Sequence, residues 1–244
     1  MKKNCWTVQV FNLIDWVGIQ RVLEALPIQQ RMGRVQLIHH WQNTGEQKML
    51  FASSGTNTQS DNKDTQKLRE DLLNLECKCP FNCGLQETRM HFMECDAQSA
   101  KTKQESVLKN LKLKMERYNI HDAIVTYLLW GLRWKDNKGE PVHVGFEHSA
   151  ITQKIILALK EQTQIGWKNV RQGFISASWA EIQYMADKCN QRESKEWHKL
   201  LVKWMIDVSW EMWLCRNQAM HGSDIKEGRQ KKLHNLQEMV SVLF

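Results

Sequence analysis

Proline is nearly absent from this sequence: Pro27, Pro80 and Pro141 are the only three in 244 residues, which leaves long stretches free to be helical. Also missing is any uninterrupted apolar run approaching the ~18 residues of a membrane span. The start, Met1-Lys2-Lys3-Asn4-Cys5-Trp6, carries two lysines. Asn12, Asp15 and Gln20 interrupt the apolar residues behind them, and no small-residue cleavage site appears, so no secretory leader is expected. There is no glycine-rich phosphate loop and no local Ser/His/Asp signature. Asp15, Glu24, Glu147 and Glu161 form no recognisable catalytic pair or metal triad. Nothing in the sequence commits the chain to catalysis.

The residues that are present point elsewhere. Hydrophobic residues at 42% and charged residues at 25% match an ordinary soluble globular protein. Eleven tryptophans predict large aromatic anchors in the core. The net charge of +7 and a pI near 9.0 favour acidic partners, with RNA or DNA foremost. A reducing nuclear or cytoplasmic compartment is expected, where clustered cysteine reads as metal binding before disulfide.

The hydrophobic pattern predicts a mainly α fold. Residues 1–51 read as a helical lead-in: Leu13, Ile14, Val17, Val22, Leu23 and Leu26 recur at helical spacing, Pro27 interrupts, and the pattern resumes through Met32, Val35, Ile38 and Trp41. Residues 52–66, "ASSGTNTQSDNKDTQ", read as a flexible polar insertion. Residues 67–100 form the expected metal module, entered by a short helix through Leu68, Leu72, Leu73 and Leu75, and 101–244 form a helical domain. Within that domain "HDAIVTYLLWGLRW" is strongly apolar, "KDNKGEP" at 135–141 is a turn, and 149–167 is amphipathic. Ser176 or Ser178 is the expected cap of the next helix, with Ser178 and Glu181 at capping-box spacing. The longest helix is expected over 194–221, closed by Gly222, and a final helix runs through Leu233, Leu236, Met239, Val240 and Leu243.

The chemistry concentrates in "ECKCPFNCGLQETRMHFMEC", residues 76–95, which holds four of the seven cysteines. Cys79, Cys83, His91 and Cys95 form the pattern C-x3-C-x7-H-x3-C. A turn through Gly84 aims the first two sulfurs at one point. His91 and Cys95, at i and i+4, share one face of a helix about 6 Å apart. Two ligands from a turn and two from a helix close a tetrahedron around Zn²⁺. Four protein donors argue for a structural site, because catalytic zinc keeps an open position. Cys77 competes with Cys79 for one ligand position, and the spacing leaves that choice open. The competing reading is a set of free structural cysteines with a histidine nearby by chance.

Two basic tracts stand out. Lys101, Lys103, Lys109, Lys112, Lys114 and Arg117 lie on one predicted helix, and Lys226, Arg229, Lys231 and Lys232 on another. Each alone is an ordinary solvated face; beside a zinc module, together they make a phosphate-contact surface. Arg216, Asn217 and His221 near a helix end read first as a structural polar network and second as part of a hydrolytic site lacking an identifiable carboxylate.

Four phrases occur in order: "IDWVGIQRVLEALPIQQRMGRVQLIHHW" (14–41), "CPFNCGLQETRMHFMEC" (79–95), "IGWKNVRQGFISASWAEIQY" (165–184) and "WMIDVSWEMWLCRNQAMHG" (204–222). Together they resemble the region downstream of the polymerase in non-LTR retrotransposon reverse transcriptase polyproteins, which includes the reverse-transcriptase zinc-binding module. The resemblance implies that Cys79, Cys83, His91 and Cys95 are metal positions, with one extra residue between the first two. It also implies a tail that helps a retroelement polymerase hold RNA or target DNA. The polymerase Tyr-x-Asp-Asp signature and a ribonuclease H carboxylate set are absent from the chain. The expected function is thus non-catalytic nucleic-acid binding with one structural zinc. The alternative is a helical interaction or oligomerisation scaffold without nucleic-acid affinity, and the sequence leaves oligomeric state open.

Overall fold

The computed structural model describes residues 6–39, 44, 77–133, 149–187 and 193–243. The predicted insertion at 52–66, the helix through Leu68–Leu75 and the turn at 135–141 lie outside these residues. The fold is mainly α, as the periodicity implies. In chain order the helices are α1 Val8–Leu13, α2 Trp16–Glu24, α3 Ile28–His39, α4 His91–Glu94, α5 Gln98–Arg117 and α6 Asp122–Leu132, then α7 Ala150–Ile165, α8 Ser178–Ala186, α9 Ser194–His221 and α10 Ile225–Leu243. A 3-10 segment, Trp167–Gln172, comes after α7. Among the described residues there is no strand, only two isolated antiparallel bridges. No helix among them is long and apolar enough to cross a membrane.

The chain divides into two compact units, Met1–His39 with Val107–Trp210, and His40–Ser106 with Glu211–Phe244. In the first unit the lead-in is three helices. Asp15 caps α2, its Oδ1 accepting the Gly18 N–H at 2.8 Å. α3 resumes directly after Pro27, whose carbonyl accepts the Arg31 N–H at 2.9 Å. Tryptophans anchor the core as expected: Trp167, Trp179, Trp197 and Trp204 are all buried, as are Leu201, Val202, Met205 and Ile206 of α9. α7 packs on α8 and on α1, while α6 packs on the 3-10 segment.

Buried amides fasten the loops of this unit. The Gln162 Oε1 accepts the Ser176 N–H at 3.0 Å and the Trp179 indole N–H at 3.3 Å, while its Nε2 donates to the Phe174 carbonyl. Gln183 does the same for the α5–α6 turn, accepting the His121 N–H at 2.8 Å and donating to the Asn119 carbonyl at 3.2 Å. Asn119 is left-handed there, with φ 52°.

One expectation is corrected at α8. Ser178 is the first helical residue rather than the cap, which is Ala177. Ser176 Oγ accepts the Ser178 N–H and donates to the Glu161 carboxylate, so the capping function sits outside the helix proper. Glu181 pairs with Lys154 on α7 instead of reaching back to Ser178. The capping-box spacing is present, but a tertiary cation wins the carboxylate.

Candidate metal centre

In the second unit, residues 77–79 and 85–87 run antiparallel. Cys79 N–H donates to the Leu85 carbonyl at 2.9 Å, Glu87 N–H donates to the Cys77 carbonyl at 2.8 Å, and Lys78 faces Gln86. Between them Cys79-Pro80-Phe81-Asn82 makes a turn closed by the Asn82 N–H to the Cys79 carbonyl at 3.0 Å, with proline at the position that favours its fixed φ. Asn82 and Gly84 then both take left-handed backbone, φ 57° and 81°. These two residues turn the chain back toward the second arm of the hairpin. A Cβ at Gly84 would meet nothing within 4 Å, so the glycine is required by its φ rather than by space. The Phe81 N–H points at Cys79 Sγ, 3.4 Å away, a donor that favours thiolate over thiol.

His91 and Cys95 arrive from the other side. α4 lasts a single turn, and Cys95 is its C-cap with extended backbone, φ −67° and ψ 129°. The expected helical i, i+4 pair is therefore corrected: only His91 is helical, and the chain turns out of the helix at the second ligand. The consequence is a crossed arrangement. Cys79 Sγ lies 3.5 Å from Cys95 Sγ, and Cys83 Sγ lies 3.2 Å from His91 Nε2. The four donor atoms all fall within 4.8 Å of one another. A tetrahedral ion with bonds of about 2.3 Å to sulfur would hold its sulfurs about 3.8 Å apart, so the cluster has the size of a four-coordinate site.

The cluster is dry. Cys79, Cys95 and His91 are buried and Cys83 is half-buried, with Ala100, Ala97 and Phe81 packed around the sulfurs. Burial pushes the Cys79 thiol up to about 12, and it also raises Cys95. Protonated thiols facing each other would leave these donors without a common partner. A bound divalent cation inverts that preference and draws the sulfurs into the thiolate form. Four protein donors are the number that a tetrahedral ion takes. The arrangement can hold a metal ion.

Cys77 is excluded from the group that closes. It is fully buried, and its sulfur is not among the four donor atoms that lie within 4.8 Å of one another. The choice the spacing left open falls on Cys79.

Arg216 and Asn217 do join a polar network, whose anchor was not legible in the sequence. Arg216 donates from Nε to Glu87 Oε1 at 2.6 Å and from Nη2 to Glu87 Oε2 at 2.5 Å, and its Nη1 donates to Asn217 Oδ1 at 3.1 Å. The Trp213 ring lies 4.9 Å from the guanidinium carbon, and its edge contacts Phe92, the residue after His91. His221 is exposed at the end of α9. Glu87 lies four residues beyond Cys83, and no local pattern announces a partner 129 positions away.

The basic residues are distributed more widely than two simple stripes. On α5, Lys101 pairs with Asp96 at 3.1 Å, Lys103 is half-buried beside Cys215, and Lys114 lies over the Trp204 ring. Lys109, Lys112 and Arg117 are exposed. On α10, Lys226, Arg229 and Lys232 are exposed. Lys231 folds back to cap α9, donating to the Gln218 and Ala219 carbonyls at 3.0 and 2.8 Å, as a cation at a helix C-terminus should.

Comparison of the chain with protein-family models, with curated proteins and with solved structures finds no match in any of the three.

Proposed function

We propose that this chain is a non-catalytic, nucleic-acid-binding protein stapled by one structural Zn²⁺, related to the tail of a retroelement reverse transcriptase. The convergence of Cys79, Cys83, His91 and Cys95 within 4.8 Å carries the metal part of this reading. Three soft thiolates and one imidazole select zinc over the hard, oxygen-seeking cations. The ion would fix the hairpin against α4 without taking part in chemistry. Nucleic-acid binding is supported by the net charge of +7 and by the exposed Lys109, Lys112, Arg117, Lys226, Arg229 and Lys232. The relation to retroelements rests on the sequence phrases and gives a retroelement polymerase as the partner to test.

Protein purified without chelators should carry close to one zinc per chain by elemental analysis. A metal-free but folded protein would sink the zinc reading. Affinity for RNA or DNA should fall steeply between about 50 and 200 mM salt, and binding that ignored salt would rule out phosphate recognition.

One observation favours a second reading. Leu233, Leu236 and Val240 of α10 are exposed at spacings of three and four, the seam of a helix–helix contact. An interaction scaffold predicts a stable oligomer and no nucleic-acid affinity. Light scattering with and without RNA separates the two.

A further inference from the structure

We infer that a groove between α5 and α6 in the first unit binds single-stranded nucleic acid, with bases against its apolar side and phosphates on its rim. This rests on the proposed nucleic-acid binding and adds the strand form and the residues. The groove has a volume of about 440 Å³. Val125 and Leu129 contribute its apolar lining, together with the half-buried indole of Trp130. Lys109 and Lys112 stand one turn apart on α5, and Arg133 lies just past the end of α6; all three are exposed.

Charge separates this groove from two other hollows of the same unit. The one beside Arg21 and Lys199 also contains Glu24, and the one beside Lys154 also contains Glu181, so in each an acid offsets the bases. Among the described residues lining the α5–α6 groove there is no carboxylate. The acids one helical turn away on α5 are Glu105, four residues before Lys109, and Glu116, 3.8 Å from Lys112; exposed pairs of this kind are too weak to hold a lysine against a phosphate.

The indole supplies the other half of the argument. Trp130 packs edge-on against Trp167, ring centroids 5.0 Å apart at 78°, so its orientation is set by the core. A fixed aromatic beside a line of cations is the combination that single-strand recognition requires: phosphates meet the charges while unstacked bases meet the ring. A duplex offers the phosphates but keeps its base faces inside the stack. The apolar lining and Trp130 would then contribute nothing.

The test is fluorescence anisotropy with labelled 12-mers of single-stranded RNA, single-stranded DNA and the matching duplex, on the full chain with its metal. Wild type should prefer the single strands. Lys109→Ala/Lys112→Ala/Arg133→Ala should weaken single-strand binding at least tenfold and flatten the salt slope by about 2, the share of three lost phosphate contacts. Trp130→Leu should weaken it roughly 5- to 100-fold with the slope unchanged, and Trp130→Phe should recover most of the loss. Circular dichroism melts confirm that each variant is folded; the triple variant alters only exposed side chains and provides the decision if Trp130→Leu unfolds. If wild type binds but the triple variant binds equally well, and the loss appears only in Lys226→Ala/Arg229→Ala/Lys232→Ala, the groove is overturned while nucleic-acid binding stands. A preference for duplex overturns the groove as well. Absence of binding to every oligonucleotide at low salt overturns both readings.

Discussion

Glu87 and Arg216 meet through two parallel hydrogen bonds, at 2.6 and 2.5 Å, with both side chains excluded from solvent. One residue closes the hairpin that carries Cys79; the other belongs to the last part of α9. The bidentate geometry satisfies both carboxylate oxygens, and the Trp213 ring lies against the guanidinium. Such a pair offsets its own desolvation only while it is complete.

Removing one partner should therefore cost more than removing both. Arg216→Met alone should destabilise the protein by about 3–5 kcal/mol, because Glu87 is left charged and buried. Glu87→Leu/Arg216→Met should recover much of that loss. Urea denaturation of both variants checks the prediction, and equal destabilisation would refute it.

The four-donor geometry makes a sharp distinction between adjacent cysteines. Cys79→Ser should lose the metal and melt the hairpin, since structural zinc contributes on the order of 10 kcal/mol to a small module. Cys77→Ala should keep one metal per chain and lose only the packing of a buried small side chain. Elemental analysis of the two purified variants decides between them; metal loss from Cys77→Ala would reassign the site.

In the first unit, Gly173 closes the 3-10 segment at φ 82°, and a Cβ there would lie 2.7 Å from Ile206 Cγ1. Gly173→Ala should cost about 1–3 kcal/mol through left-handed strain and overpacking. Trp179→Ala, which empties a fully buried indole site, should cost about 3–5 kcal/mol. Thermal melts should rank the two in that order.

Glu227 offers a pH test. Its pairing with Lys231, and its acceptance of the Ser223 hydroxyl and amide, hold its carboxyl down to about 2 from the usual 4.5. The folded value lies below the unfolded one, so its contribution is complete above pH 4.5 and disappears as pH falls toward 2. A carboxyl-carbon NMR titration of Glu227 should show the low midpoint, and Lys231→Ala should move it upward.

Much of the helical architecture is written locally. Asp15 before an apolar-periodic run, Ser149 at the head of α7 and Gly222 after α9 all terminate helices where short-range physics places them. The cluster of candidate metal ligands was legible too, with Cys77 and Cys79 tied for one position, because soft donors at closing intervals have few other reasons to cluster. What failed locally failed for tertiary reasons. Glu181 has capping-box spacing, but Lys154 of another helix lies within reach. Lys231 reads as part of a basic tract, yet it is drawn to the open carbonyls of α9.

By itself the sequence determined a mainly helical chain with tryptophan anchors and one compact group of soft metal donors. Hydrophobic period, caps and ligand spacing all act within a few residues of one another. Only the tertiary structure selected Cys79 over Cys77, crossed the donors so that Cys95 faces Cys79, and paired Glu87 with Arg216. Those outcomes depend on which buried groups share a volume, and spacing along the chain carries no term for that.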